Sequence, residues 1–331
     1  MAKVAINGMG RIGRAALKVI LETRPLELVA CNDLMPPENL AYLLKYDTVY
    51  GRDDREVRAE GGMLEIGGST IRLFSETDPT KLPWGDLGID LVFECTGVFT
   101  REEDLKKHLQ AGARRVILSA PAKSETISLV VHGTNRSERE AQIISCASCT
   151  TNCIAPVVEV IDRRIGIEKA TMTTVHAYTA SQALVDGPGG KKDFRRGRAA
   201  AANLVPSSTG AAVATTKALP QLAGKFDGIA VRAPVPVGSI ADIVMLTRRE
   251  TSADEINGML REEATSDRYR DVIGVSDDPL VSSDIIADPR ATVVDLSLTQ
   301  VVAGNLCKVM TWYDNEWGYV NQMIRHARTM A

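Results

Sequence analysis

The feature that most constrains this chain is a set of three glycines, Gly8, Gly10 and Gly13, spaced G-x-G-x-x-G directly after a short apolar run. Residues 3–7, with Val4 and Ile6, read as a strand. Residues 14–23 carry Ala15, Leu17, Ile20 and Leu21 near helical spacing. Residues 26–32 form a second apolar strand, and Asp33 closes it twenty residues beyond Gly13. In this order the parts make a dinucleotide-binding βαβ unit. The first glycine permits the tight turn, the second lets a pyrophosphate approach the backbone, and the third lets helix and strand pack closely. The helix start then offers N–H groups and a partial positive charge to the phosphates. Asp33 is placed to bond the ribose hydroxyls of the adenosine and to repel a 2′-phosphate, which favours NAD over NADP.

The alternation continues. Residues 89–95 and 115–119 read as strands, with a helix at 102–111 between them, closed by Gly112. Small residues at the carboxyl ends of parallel strands line the ligand crevice of a doubly wound sheet, so Thr96, Gly97 and Ser119 are candidate cofactor neighbours. Residues 63–74, with Gly67 and Gly68, predict an inserted hairpin. A chain of 331 residues is longer than one core usually carries, so two domains are expected. The net charge of −3, from 39 basic and 42 acidic side chains, provides no broad field for nucleic acid or an anionic membrane. A local basic site can still hold a small anion. No apolar run approaches the roughly 18–20 residues of a membrane span. The first ten residues lack the pattern of a signal peptide. The expected compartment is therefore the reducing cytoplasm, with all six cysteines free. Cys31, Cys95 and Cys307 stand among apolar neighbours and are expected to be buried.

Cys146, Cys149 and Cys153 fall within eight residues. Residues 143–146 read as a strand, and residues 154–165, with Ile154, Val157, Val158 and Ile161 on one side, as a helix. Cys149 thus lies at a strand-to-helix junction, where helix N–H groups pull a thiol below its ordinary pKa of about 8.5. With a protonated histidine beside it, such a thiol becomes a thiolate nucleophile. Spacings of three and four without histidine partners fit structural zinc poorly, and no metal site is expected. Cys153 reads as a packed thiol, with an oxidation partner for Cys149 as the alternative. Of the four histidines, His108 and His326 read as surface residues, His132 as a structural residue on a strand, and His176 as the end of the β-branched run 171–175.

Ser148-Cys149-Thr150-Thr151-Asn152-Cys153 resembles the active-site segment of the glyceraldehyde-3-phosphate dehydrogenase family. Residues 175–179 resemble its histidine segment, 204–212 its phosphate loop and 312–319 its C-terminal signature. With residues 4–13, the matches run in the family's order along nearly the whole chain. The resemblance implies a Rossmann-type, doubly wound NAD-binding domain over residues 1–148, completed by the C-terminal helix 315–331. It implies a mainly antiparallel-sheet catalytic domain over 149–314, with candidate strands at 229–231, 240–247, 292–295, 299–302 and 306–312. It makes Cys149 the nucleophile and His176 the base, working through a thiohemiacetal and a thioester that inorganic phosphate attacks. The backbone N–H groups of Cys149 and His176 would steady the oxyanion. It adds the backbone of Arg11 and Ile12 and the side chain of Asn315 to the cofactor contacts. Thr179, Ser181 and Arg232 are implied for the substrate phosphate, and Ser148, Thr150, Thr209 and Gly210 for inorganic phosphate. Arg196, in the basic run 191–198, matches a further phosphate arginine, with Arg195 as the alternative. The loop 186–190 is implied to reach across a subunit interface of a homotetramer.

Three positions depart from the family pattern. Thr77 stands where many relatives carry arginine near the adenine. Cys146 replaces an asparagine that supports the active-site turn. Residues 235–240 lack the usual threonine and asparagine. An erythrose-4-phosphate dehydrogenase would share Cys149 and His176, but such enzymes generally lack the pair found here as Thr209-Gly210. A non-catalytic nucleotide-binding redox sensor has only the clustered cysteines and the basic run in its support, and no dedicated nucleic-acid site stands out.

Overall fold

A computed structural model of the chain describes residues 1–135, 141–189 and 193–330. These divide into two compact units, one made of residues 1–130, 141–147 and 323–330, the other of 131–135 and 148–322.

In the first unit β1 (Ala2–Asn7) passes through the glycine turn into α1 (Arg11–Leu21) and β2 (Leu26–Asn32). There follow α2 (Pro37–Lys45), a small ribbon of β3 (Tyr46–Asp47) and β4 (Gly51–Arg52), then β5 (Val57–Glu60), β6 (Met63–Ile66) and β7 (Ser69–Phe74). The short helix α3 (Trp84–Leu87) precedes β8 (Leu91–Glu94), α4 (Glu102–Gln110), β9 (Arg115–Leu118), β10 (Ser128–Leu129) and β11 (Ile143–Ser145). The sheet runs β10-β11-β9-β8-β1-β2-β7-β6-β5. Neighbours from β10 to β7 pair in parallel, and β6 and β5 add an antiparallel edge. The expected hairpin is β6 and β7, turning through Gly67 and Gly68 at positive φ. The chain leaves β1 for β2 on one side and comes back to β8 on the other. That reversal opens a crevice at the carboxyl ends of β1 and β8. The central strands carry apolar runs, and Val4, Ile6, Val92 and Phe93 are fully buried.

The second unit begins with α5 (Cys149–Ile165) and β12 (Ile167–Ala177). β13 (Val205–Ser208), α6 (Ala211–Ala218), β14 (Phe226–Ala233), β15 (Ser239–Thr247), α7 (Ala253–Thr265), β16 (Ile273–Ser276), β17 (Thr292–Val302) and β18 (Leu306–Tyr313) follow. The sheet order is β13-β14-β12-β15-β18-β17-β16. The pairs β12–β14 and β16–β17 are parallel, and the other four are antiparallel. One face packs on α5, where Ile154, Val157, Val158 and Ile161 meet Ile243, Met245, Val294 and Val309. β15 accordingly alternates buried with half-buried residues along its length.

Several expectations need adjustment. α5 starts at Cys149, five residues before the apolar periodicity begins. The two strands expected at 292–295 and 299–302 are one strand, β17, with an irregularity between Asp295 and Gln300. His132 lies in a turn and not on a strand. The last helix, α8 (Trp317–Met330), starts two residues after the expected 315, and its residues from Met323 onward belong to the first unit. Ala331, and Gly190, Lys191 and Lys192 of the expected loop and basic run, lie outside the described residues. Among the described residues no helix is long and apolar enough to cross a membrane.

Candidate active site

The glycine turn is built as its spacing requires. Gly8 has φ +95°, and a Cβ there would lie 2.6 Å from the Thr96 nitrogen. A Cβ on Gly13 would lie 1.9 Å from the Gly8 oxygen, so α1 sits directly on the turn. Gly10 differs, since a Cβ there meets nothing within 4 Å. The open space at Gly10 is room for a ligand's backbone approach. α1 has no side-chain cap and no acidic residue in its first turn. Asp33 accepts from Met9 N (2.5 Å) through one oxygen and Met35 N (2.8 Å) through the other. A carboxylate takes about four hydrogen bonds, which leaves capacity for ribose hydroxyls. Thr96 donates its hydroxyl to Glu94, Gly97 is exposed at φ +71°, and Ser119 bonds the Cys95 thiol. These features fit a dinucleotide.

In the second unit, Ser148 caps α5 by accepting from Thr151 N (3.1 Å), and this cap starts the helix at Cys149. Cys149 Sγ lies 3.3 Å from His176 Nε2. The parallel register of β12 and β14 places Arg232 opposite His176. Arg232 Nη1 comes within 2.6 Å of His176 Nδ1 and donates to the Ala177 carbonyl (3.0 Å). His176 Nδ1 also lies 2.7 Å from that carbonyl. Burial pushes His176 down to about 3, and the Arg232 charge pushes the same way against the Ala177 bond. Burial lifts Cys149 above the usual thiol range, against the pull of Arg232, the Thr150 hydroxyl and the amides of Thr150 and Cys149 itself. Burial thus opposes the expected thiolate and imidazolium at both partners, while Arg232 and the helix start favour the charged form only at the sulfur.

The remaining candidates fall in two places. Thr179 and Ser181 bond each other through their hydroxyls (2.9 Å) at the exposed start of the loop after β12. Arg196 is tied to Asp193 (3.0 Å) and its charge acts on Arg232, while Arg195 is exposed. Thr209 accepts from Ala211 N (3.2 Å), and Gly210 is exposed at the start of α6 with open space around it. Thr150 is buried, with its hydroxyl turned to Tyr313 (2.9 Å). Asn315 is buried, and its Oδ1 accepts from Gly238 N (3.3 Å) and Ser239 Oγ (3.1 Å), so its amide NH2 is the group left to face a ligand.

The sequence reading passed over Tyr313, Thr174 and Ser239. The Tyr313 hydroxyl joins Thr150 and Thr174 (2.8 Å), and its ring stands edge-on to His176. Ser239, fully buried, accepts from Ala177 N (3.1 Å) and donates to Asn315. This accounts for part of the unusual 235–240 segment: Gly238, at φ +90° and packed against the Ser282 carbonyl, delivers Ser239 to that bridge. Two histidines and one cysteine are also corrected. His108 is fully buried between Trp84 and Glu94. His326 is buried too, and burial pushes it down to about 4. Cys95 is half-buried, whereas Cys31 and Cys307 are buried as expected. Cys153 is packed in the core against Thr292, and burial lifts it to about 12.

Residues 2–102 match the family described as glyceraldehyde 3-phosphate dehydrogenase, NAD binding domain, and residues 148–315 match glyceraldehyde 3-phosphate dehydrogenase, C-terminal domain. The chain is 47% identical to the glyceraldehyde-3-phosphate dehydrogenase of Streptomyces coelicolor, over 97% of this chain and 96% of the relative. It is 45% identical to glyceraldehyde-3-phosphate dehydrogenase 1 of Bacillus subtilis, over 99% and 98% of the two chains. Identity to the Haloarcula vallismortis enzyme of the same name is 45%, over 97% and 96%. A cysteine and a histidine in hydrogen-bond contact in one unit, a dinucleotide turn in the other and these full-length likenesses lead to one conclusion: the chain belongs to the glyceraldehyde-3-phosphate dehydrogenase family.

Proposed function

We propose that this chain oxidises glyceraldehyde 3-phosphate with NAD and inorganic phosphate to 1,3-bisphosphoglycerate and NADH, as an oxidoreductase acting on an aldehyde in glycolysis or its reversal. The observation that carries the reading is Cys149 Sγ at 3.3 Å from His176 Nε2, with Arg232 at Nδ1 of the same imidazole. Cys149 gives its proton to His176 and attacks the aldehyde carbon, and His176 returns that proton to the new alkoxide, forming a thiohemiacetal with Nε2 free again. NAD, when bound, supplies the acceptor for the hydride that leaves this carbon. His176 takes the hydroxyl proton through Nε2, and the result is a thioester on Cys149. Inorganic phosphate then attacks the thioester carbon, the thiolate leaves, and the acyl phosphate is released.

Taking a proton at Nε2 requires that Nδ1 carry one and donate it to the Ala177 carbonyl. Arg232 competes for Nδ1, so an anion that draws its guanidinium away favours the basic form. Thr179, Ser181, Arg232 and Arg196 are assigned to the substrate phosphate. Ser148, Thr209 and Gly210 are assigned to inorganic phosphate, with Thr150 supporting them from beneath. Gly8, Gly10, Arg11, Ile12, Gly13, Asp33, Thr96, Gly97 and Ser119 are assigned to NAD, and the Asn315 amide to the nicotinamide carboxamide. In this reading residues 1–148 with 315–331 hold the cofactor and 149–314 perform the chemistry.

The chain is assigned to the cytoplasm, where reduced thiols persist. A homotetramer accounts for apolar side chains left in water. Val175 and Ile229 are 39% and 53% exposed on one sheet face, and Leu184 and Phe194 on the loop after β12 are 80% and 79% exposed. The test is NADH formation from glyceraldehyde 3-phosphate and NAD, with and without inorganic phosphate, beside Cys149→Ala. Phosphate-dependent turnover abolished by the substitution is expected. Turnover indifferent to phosphate, or confined to erythrose 4-phosphate, refutes it.

A further inference from the structure

Glu94 is completely buried at the end of β8, and the mechanism above makes no use of it. Its Oε1 accepts from the Thr96 amide (2.8 Å) and the Thr96 hydroxyl (2.5 Å). Its Oε2 accepts from Asn7 Nδ2 (2.6 Å) and meets His108 Nε2 at 3.0 Å. The direction of that last bond follows from Trp84, whose indole N–H reaches His108 Nδ1 (3.1 Å). An indole nitrogen can only donate. Nδ1 is therefore an acceptor, and the single imidazole proton sits on Nε2, pointing at Glu94. All four groups around the carboxylate donate to it.

The same polarity runs on through Asn7. Asn7 Oδ1 accepts from Asn32 Nδ2 (2.7 Å), and Asn32 exchanges two bonds with the Glu76 backbone, at 2.8 and 2.9 Å. The rail Thr96–Glu94–Asn7–Asn32–Glu76 thus crosses the carboxyl ends of β8, β1, β2 and β7, which are adjacent in the sheet. These ends carry the cofactor residues: Gly8 follows Asn7, Asp33 follows Asn32, and Gly97 follows Thr96. Gly8 and Thr96 approach so closely that a Cβ on Gly8 would lie 2.7 Å from the Thr96 Cα. The relative placement of the two loops is thus set by what holds Asn7 and Thr96, and Glu94 holds both.

We infer that Glu94, oriented by His108, is a positioning residue for NAD: its buried carboxylate fixes the Gly8 turn against Thr96-Gly97 in the geometry that accepts the dinucleotide. The inference rests on the NAD reading above. Glu94→Gln keeps the shape but cannot keep the bonds. Its NH2 faces either the two Thr96 donors or Asn7 and His108. Asn7 cannot turn over without losing Asn32, and His108 cannot change tautomer without opposing Trp84. A buried donor facing a donor is costly and is relieved by movement of a loop.

The test is calorimetric titration of NAD into the whole protein, with iodoacetamide labelling of Cys149 in the absence of NAD as the control on the second unit. Glu94→Gln and His108→Leu are expected to weaken NAD binding about tenfold and leave the labelling rate within about twofold of the parent. His108→Gln, whose amide can donate to Glu94 and accept from Trp84, is expected to restore affinity to within about threefold. If Glu94→Gln does not fold, the His108 pair decides. Unchanged NAD affinity in folded Glu94→Gln or His108→Leu overturns the inference, as does a parallel loss of NAD affinity and Cys149 labelling. A parent protein that binds no NAD defeats the cofactor reading instead.

Discussion

Alanine at Gly10 and alanine at Gly13 separate two things that the glycine turn does. At Gly10 the added methyl meets nothing within 4 Å, and φ of −68° is open to alanine. The local cost is a poorer helix cap, about 0.5–1 kcal/mol, which lowers the melting temperature of a chain this size by about 2 °C. The methyl does fill the space where a pyrophosphate would approach the backbone. Displacing a phosphate oxygen by about a bond length forfeits one charge-assisted hydrogen bond, worth about 1.5–3 kcal/mol, so NAD affinity is expected to fall roughly 10–100-fold. At Gly13 the methyl falls 1.9 Å from the Gly8 oxygen and 3.0 Å from the Gly8 carbon, both backbone atoms that no rotamer can move aside. α1 and the turn must separate by about 1 Å. Overpacking of this kind costs about 1–3 kcal/mol, with a melting loss near ~5 °C and weakened NAD binding alongside. Scanning calorimetry and NAD titration on the two variants check both halves. A Gly10→Ala protein that binds NAD like its parent refutes the placement of the cofactor, and a Gly13→Ala protein that melts like its parent refutes the close packing of α1.

Two further outcomes follow from buried polar groups. His326 is held at about 4 by burial, below its unfolded value near 6.5, so the folded state favours the neutral ring. Its contribution is complete above pH 6.5 and lost as pH falls toward 4, about 3 kcal/mol in all, so urea midpoints should drop over that range and His326→Gln should flatten the drop. Ser239→Ala removes the bridge from the Ala177 amide to Asn315 and leaves a buried N–H unpaired. A loss of about 1–3 kcal/mol in urea unfolding is expected with weaker NAD binding, and an unchanged unfolding curve would show the bridge to be dispensable.

What could be read in the sequence was local. The strand, glycine turn, α1 and Asp33 follow one another within a few turns of chain, and each makes a backbone demand that one residue type meets. The start of α5 was hidden because Cys149 to Cys153 carry no apolar periodicity, and because Pro156 suits the first turn of a helix beginning later. The cap at Ser148 was the available signal. His108 sits three residues after Leu105 and next to Leu109, inside the apolar stripe of α4, and the charges around it concealed this. His326 likewise follows Met323 by three residues on the buried side of α8. The order of strands in the second sheet has no local signature. Only that order brings Arg232 beside His176, 56 residues earlier in the chain.

The reactive pair shows why such a placement alters the chemistry that a motif implies. A cysteine at a helix start with a histidine in reach predicts an ion pair, and the helix amides do act on Cys149 in that direction. Burial acts on both partners at once. It disfavours thiolate and imidazolium alike, and a charged pair gains only if its mutual attraction exceeds two desolvation costs. Arg232 then breaks the symmetry. Its charge favours the thiolate and opposes the imidazolium, so it stabilises half of the ion pair at the expense of the other half. The guanidinium therefore acts on the pair at both ends, and in opposite senses. With Arg232 on Nδ1, the imidazole proton lies on Nε2 toward the sulfur; with Arg232 withdrawn, Nδ1 can donate to the Ala177 carbonyl 2.7 Å away and Nε2 becomes the base. A side chain assigned to hold an anion is thus also the one that decides which nitrogen of His176 can accept a proton.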